Sequence, residues 1–154
     1  MIRGALLSGF ILAIIAFITT STFLTVAYLN PADVMSPHDR IHEGQIHIYP
    51  DKIVIEVKDA TWASYTNTNS MDPLLDTGAN GLEITPKNED DIYRGDIVAY
   101  ESKITPGLII HRIVDIKEDE EGKYFIFKGD NNNTSDPEKV RFSQIKYILI
   151  GIIY

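Results

Sequence analysis

The chain has 154 residues, a net charge of −8 and no cysteine. Its length allows one compact domain besides an apolar N-terminus, and its acidic balance disfavours binding to the phosphate backbone of nucleic acids. The absence of cysteine excludes disulfides, thiolate zinc sites and a cysteine nucleophile.

Residues 4–29 form a run of 26 residues without a charged side chain. As a helix with a rise of ~1.5 Å per residue, this run would reach ~39 Å, more than the ~30 Å hydrocarbon core of a bilayer requires. We therefore predict a transmembrane anchor over residues 1–30. A cleaved secretory signal is the alternative, because residues 5–18 alone would form its apolar part and hydroxyl side chains at 19–22 interrupt the run.

Two features favour the anchor over the cleaved signal. Apolar residues resume at Phe23, and no clear small-x-small cleavage site precedes Pro31.

Arg3 is the only charged residue before residue 31, so removing its +1 from the total of −8 leaves −9 for residues 31–154. Since Arg3 precedes the apolar run and Asp33 follows it, the positive-inside tendency places the N-terminus in the cytoplasm. The predicted location is the cell membrane, with a single span and an extracytoplasmic domain.

The chain after residue 30 predicts a β-rich domain behind a short linker. Residues 31–44 are polar and contain two prolines, which indicates a juxtamembrane linker. Residues 45–154 contain short runs rich in β-branched and aromatic residues between Gly, Pro, Asn and acidic clusters. The predicted strands are 45–49, 52–58, 82–85, 96–100, 108–116, 123–128 and 145–154. The first two form a predicted hairpin, and we expect an all-β fold, an antiparallel barrel or sandwich behind one helix.

Ser70 is a candidate nucleophile in a polar segment that ends at Pro73. A serine hydroxyl is a poor nucleophile near neutral pH, so it needs a base to take its proton and an anion to orient that base. The alternative interpretation of this segment alone is a polar turn before a proline.

His111 is the candidate base. It lies in a strand-like run whose alternation places Ile109, His111 and Ile113 on one face. An imidazole among isoleucines is partly removed from water, which keeps its neutral form available near neutral pH. A structural core histidine is the alternative interpretation. Lys103 and Lys128 are competing bases for a serine–lysine pair, but both lie at polar edges where an ammonium stays protonated.

Asp130 and Asp136 are both candidates for the anion that orients the base. Asp130 lies in a Gly-Asp-Asn-Asn turn, where aspartates commonly bond to nearby backbone N–H groups. Asp136 lies six residues further on, before a proline. Both candidates stay open on this evidence.

Four motifs in this order resemble the type I signal peptidases of archaea and the endoplasmic reticulum. They are the segment around Ser70 and residues 93–98, 110–114 and 128–132, and the resemblance covers about residues 62–154. In this branch a histidine stands where most bacterial relatives have a lysine. The resemblance implies a signal-peptidase-like β fold and a membrane serine endopeptidase that removes N-terminal signal peptides from secreted preproteins.

The resemblance also implies the roles of individual residues. Ser70 would be the nucleophile and His111 the general base, and Asp136 is preferred to Asp130 as the third member. The Ser70 N–H group and the Thr68 hydroxyl would bind the oxyanion. Asp96 matches the family as well, and with Asp130 it is expected to support the site.

The expected partners are signal peptides of secretory preproteins and the lipid bilayer, with the secretion channel as a further candidate. No metal ion or organic cofactor is expected. Residues 76–81 intervene where most relatives continue directly into a strand, so the substrate pocket is expected to differ. Two alternatives remain: a membrane-tethered, non-catalytic β module that binds partner proteins, and a processing peptidase dedicated to one surface protein.

Overall fold

The computed structural model describes residue 15 and residues 34–154, and residues 34–154 form one compact unit. The predicted anchor over residues 1–30 lies, except for residue 15, outside the described residues. Among those described, no helix is both long enough and apolar enough to span a membrane.

Residues 34–154 contain eight strands and three short 3-10 helices, which are joined by turns and loops. The strands are β1 (Ile46–Ile48), β2 (Ile53–Ile55), β3 (Thr61–Ser64), β4 (Asn80–Ile84), β5 (Ile97–Glu101), β6 (Leu108–Asp119), β7 (Gly122–Lys128) and β8 (Ile145–Ile153). The 3-10 helices are Glu43–Gln45, Glu89–Asp91 and Phe142–Gln144. The first two strands form a hairpin, and the others form a six-stranded sheet in the order β3-β4-β8-β5-β6-β7. Every pair is antiparallel, which confirms the prediction of a mostly β, antiparallel fold.

The sheet is covered on both faces. Strand β5 shows this directly, since its residues 97–100 are all buried. On one face Val98 and Ile148 belong to the larger apolar cluster, while Ile97 and Leu149 belong to a second cluster with Met71. A strand buried on both sides is held rigidly. The central strands therefore provide a fixed frame for the side chains at their ends.

Residues 34–44, which we predict to be a linker, are tied to the sheet by polar contacts around Asp96. The Asp96 carboxylate is fully buried and accepts hydrogen bonds from the backbone N–H groups of His38 and Tyr93, each at 2.9 Å. It also forms an ion pair with the Arg40 guanidinium, which in turn donates to the Asp91 carbonyl at 2.6 Å. A buried carboxylate needs such partners. Asp96 therefore joins this segment to the turn before β5.

Candidate active site

One cavity brings together Thr68, Ser70 and His111. Its volume is about 590 Å³, and its walls come from residues 61–70 on one side and from the start of β6 on the other. Pockets of a few hundred cubic ångströms are typical of ligand sites. The candidate nucleophile and the candidate base, 41 positions apart in the chain, thus face the same space.

Ser70 is held by its neighbours on both sides. Asn69 has a left-handed backbone with φ of 59°, a conformation that asparagine adopts more readily than most residues. Met71 is only 2% exposed and lies in the second apolar cluster. The Thr68 hydroxyl oxygen lies 3.1 Å from the Ser70 hydroxyl oxygen. Ser70 is therefore presented on a turn between a constrained residue and a buried one.

The turn at residues 129–132 packs directly against the Ser70 backbone. The Asn131 N–H group donates to the Ser70 carbonyl at 3.0 Å, and the Asn131 side-chain amide donates to the Asn69 carbonyl at 2.8 Å. A Cβ atom at Gly129 would lie 2.5 Å from the Ser70 carbonyl oxygen, closer than real contacts allow. Only glycine permits this approach.

His111 contacts Asp136 and not Asp130. The distance from His111 Nδ1 to Asp136 Oδ2 is 2.7 Å, and both side chains are about one-tenth exposed. The Asp136 N–H group donates to the Phe127 carbonyl at 2.8 Å, next to the pairing of Val140 with Phe125. The segment that follows the Gly129 turn therefore runs along the edge of β7, and this places the carboxylate beside the imidazole.

Tyr100 is a second donor to the same carboxylate, and sequence reasoning missed it. Its hydroxyl donates to Asp136 Oδ2 at 2.8 Å. Burial, and after it this hydrogen bond, raises the pKa of the Tyr100 hydroxyl far above its usual range, so the hydroxyl stays protonated. Because an ionised carboxylate only accepts hydrogen bonds, it favours the neutral His111 tautomer with the hydrogen on Nδ1, in which Nε2 is the acceptor. Nε2 is the atom that a general base needs.

For a site that acts by serine acyl transfer, Tyr100→Phe is expected to lower kcat by about threefold to tenfold and to leave KM unchanged, because the net contribution of one hydrogen bond is about 1 kcal/mol. Phenylalanine fills the same space, so the change removes one donor to Asp136 and little else. Steady-state kinetics test this, with Tyr124→Phe as the control, because Tyr124 is a partly buried residue of β7 that does not line the cavity. Equal losses in the two variants would show that the Tyr100 hydroxyl does not act on the site.

Asp130 forms a bidentate pair with Arg112, the residue after His111. Arg112 Nε donates to Asp130 Oδ1 at 2.8 Å and Nη2 donates to Oδ2 at 2.6 Å. Arg112 Nη1 donates to the carbonyls of Gly95 at 2.9 Å and Met35 at 3.0 Å. Two parallel bonds of this kind fix geometry as well as charge. Asp130 therefore holds the turn that contacts Ser70, and it makes no contact with the imidazole.

The two competing lysines lie apart from the cavity. Within residues 34–154, neither Lys103 nor Lys128 lines the cavity that Ser70 and His111 share. In the same range, Ser70 and His111 make no direct hydrogen bond with each other. The described residues also contain no group of three His, Asp or Glu side chains that could bind a metal ion.

A buried acid and a tyrosine also line the cavity. Glu83 is 4% exposed, and its Oε1 accepts a hydrogen bond from the Tyr65 hydroxyl at 3.1 Å. Gly81 makes room for this pair, since a Cβ atom there would lie 1.8 Å from the Tyr65 hydroxyl oxygen. Burial raises the pKa of the Glu83 carboxyl, and the hydrogen bond from Tyr65 opposes part of that rise.

Glu83→Gln is expected to raise the melting temperature at pH 7.5, with a gain that shrinks as the pH falls toward 4. A carboxyl whose pKa is raised in the folded state contributes stability below its unfolded pKa and loses that contribution as pH rises through the folded value. At neutral pH the buried charge therefore destabilises the fold relative to an amide. Thermal unfolding between pH 4 and 8 measures this, with exposed Glu120→Gln as control. A lower melting temperature at pH 7.5 would contradict the argument.

Comparisons with known proteins do not identify a family. No family model and no solved structure matches this chain. Over 44 residues, 29% of this chain, it is 48% identical to an uncharacterized protein of Methanocaldococcus jannaschii. The match spans only 22% of that protein's length. A function for this chain must therefore be argued from its own residues.

Proposed function

We propose that this protein is a membrane-bound serine endopeptidase that removes N-terminal signal peptides from secreted preproteins, and that its β domain has the signal-peptidase fold. One observation carries the proposal: His111, 2.7 Å from Asp136, faces the same cavity as Ser70. Serine, base and orienting acid are the groups that acyl transfer requires. The four motifs that resemble archaeal and endoplasmic-reticulum signal peptidases support the same activity.

The chemistry follows the roles of the three side chains. The Ser70 hydroxyl oxygen attacks the carbonyl carbon of the scissile bond while His111 Nε2 takes the serine proton. Asp136 holds the imidazole in the required tautomer and stabilises the imidazolium. The carbon–nitrogen bond then breaks, the proton passes from Nε2 to the leaving amine, and an ester remains on Ser70. Water, activated by the same imidazole, hydrolyses that ester.

Two donors next to the nucleophile suit the oxyanion. The Ser70 N–H group and the Thr68 hydroxyl would bind the negative oxygen that forms during attack. The distance of 3.1 Å between the Thr68 and Ser70 hydroxyl oxygens supports this assignment, because it puts the second donor beside the attacking atom. Loss of one such donor typically lowers kcat by about 10²-fold to 10³-fold.

Strand β3 supports binding of an extended peptide. Within residues 34–154 it is an edge strand that pairs only with β4, so in this range its other side has backbone groups available to a partner. Its residues also line the cavity that contains Ser70. Main-chain pairing with such an edge provides affinity with little dependence on side chains. The resemblance adds small residues, such as alanine, at the first and third positions before the cut.

The proposal includes the location and the partners. Residues 1–30 would anchor the protein in the bilayer with the β domain on the outer side, where preproteins emerge beside the secretion channel. Tethering near the membrane raises the effective concentration of a membrane-bound substrate. The chemistry assigned to Ser70, His111 and Asp136 needs no metal ion or organic cofactor.

Cleavage of a model preprotein tests the proposal. The full chain in liposomes is incubated with a preprotein that has alanine at the first and third positions before the junction. A matched preprotein has leucine at these two positions. Mass spectrometry of the products is expected to show one cut at the junction of the first substrate only. Ser70→Ala serves as the control for contaminating peptidases. No cut by the wild type would favour the non-catalytic β module. If the wild type is also given a panel of different preproteins and cuts only one surface protein, the dedicated peptidase is favoured.

A further inference from the structure

The cavity beside Ser70 contains an acidic group that the proposed reaction does not use. Glu83 lies on β4 and is 4% exposed, yet it lines the same cavity as Ser70 and His111. Its Oε1 is occupied by the Tyr65 hydroxyl, while Oε2 makes no hydrogen bond with any residue in the described range 34–154. Because the Glu83 carboxyl group lines the cavity, Oε2 is available to a ligand there.

The charge of Glu83 is not balanced from within the cavity. Its bonded partner is a neutral hydroxyl, because burial first, and then the charge and hydrogen bond of Glu83, raises the pKa of Tyr65 far above its usual range. None of the described residues that line the cavity is a lysine or an arginine. A buried, unpaired carboxylate lowers stability. Such a cost is commonly kept where the group binds a ligand.

The rest of the lining suits a long side chain with a positive end. Trp62, Tyr65 and Tyr147 line the cavity together with the apolar side chain of Leu108. Aromatic faces attract ammonium and guanidinium groups, and apolar side chains pack against the aliphatic part of lysine or arginine. The net charge of −9 over residues 31–154 favours the approach of a cation.

We infer that this cavity contains a subsite for a lysine or arginine side chain of an extended peptide, and that Glu83 is the group that binds its positive end. The inference rests on the proposed function, because the peptide is taken to be the substrate or part of it. It adds a specificity that small residues next to the cut do not provide. Glu83 is a binding residue here and takes no part in bond cleavage.

Binding to an inactive full-length variant tests the subsite separately from cleavage. Ser70→Ala in detergent is titrated into fluorescein-labelled ten-residue peptides with blocked termini, in which one lysine is moved through the sequence. Matched peptides carry norleucine, which has a similar length and no charge. Fluorescence anisotropy is expected to give a Kd at least tenfold lower for lysine than for norleucine at one position. Close charge pairs in interfaces reach or exceed this size.

Two further substitutions separate charge from packing. In the Ser70→Ala background, Glu83→Gln keeps an acceptor for Tyr65 but has no charge, so the lysine preference is expected to fall below twofold. Tyr65→Phe removes the hydrogen bond and keeps the charge, so the preference is expected to remain. If Glu83 acts only by positioning Tyr65, Tyr65→Phe will reduce the lysine preference at least as much as Glu83→Gln does. A preference that survives Glu83→Gln, or no binding of any peptide, would overturn the inference.

Failure of the subsite and failure of the peptidase have different signatures. If the wild type cuts the model preprotein but Ser70→Ala shows no lysine preference, the peptidase stands and the subsite is wrong. If the preference is present and depends on Glu83 but the wild type cuts nothing, the subsite stands as a peptide-binding site and the peptidase is wrong.

Discussion

His111→Ala is expected to lower kcat/KM for a model preprotein by at least about a thousandfold, because no other histidine and no lysine is among the described residues that line the cavity. Asp136→Asn is expected to cost on the order of 10⁴-fold, because an asparagine at 2.7 Å from Nδ1 no longer selects the tautomer with a free Nε2. The losses should lie in kcat. Circular dichroism on each variant checks that the domain stays folded.

Three matched variants give this prediction its controls. Asp130→Asn changes an equivalent acid six residues away, and it is expected to lower stability through Arg112 with a much smaller effect on kcat. Lys128→Ala and Lys103→Ala are expected to retain activity. Activity that survives His111→Ala and disappears with Lys128→Ala would assign the chain to the serine–lysine branch. Equal losses from Asp130→Asn and Asp136→Asn would remove the basis for Asp136 as the orienting acid.

Asp96→Ala is expected to lower the free energy of unfolding by about 3–5 kcal/mol, the usual result of removing one partner of a buried ion pair. The change leaves the Arg40 guanidinium without its carboxylate and the N–H groups of His38 and Tyr93 without an acceptor. Urea denaturation measures the loss. Exposed Asp51→Ala is the control and is expected to change stability by less than about 0.5 kcal/mol.

The same substitution reports on residues 34–44. If Asp96 ties this segment to the sheet, Asp96→Ala should make it accessible to limited proteolysis well below the unfolding transition, while the sheet stays resistant. Asp96→Asn, which keeps one acceptor of the same shape, should give an intermediate result. A wild-type digestion pattern together with a small loss of stability would show that the segment is a linker without an energetic role in the domain.

The strands could be predicted from the sequence to a large extent because β-branched and aromatic runs are separated by strong turn residues. Strand β3 was missed, since Thr61–Ser64 is only four residues long and shows no clear alternation. Glu83 was not identified as a cavity residue because an acid between Leu82 and Ile84 indicates a solvent-facing position. In the sheet that face is covered, and Glu83 is buried while its two neighbours are only partly so.

The candidate site was predictable in its residue types but not in its pairings. Asp130 lies in the turn at residues 129–132 and Asp136 follows it, and nothing in the local sequence decides which of the two reaches the His111 imidazole. The decision comes from the contact of Asp136 N–H with Phe127 on the edge of β7 and from the pair between Arg112 and Asp130. Tyr100 carried no signal, because its partner is 36 positions away and a tyrosine at a strand end is ordinary.

His111 and Arg112 are consecutive residues of β6 and point to opposite sides of the strand. One contacts Asp136, while the other holds the Asp130 turn that bonds to the Ser70 carbonyl. The positions of the base and of the nucleophile therefore both depend on the same two consecutive residues, His111 and Arg112, and not on distant parts of the domain. We expect a sideways displacement of β6 to move the two groups together and to leave the distance between them little changed.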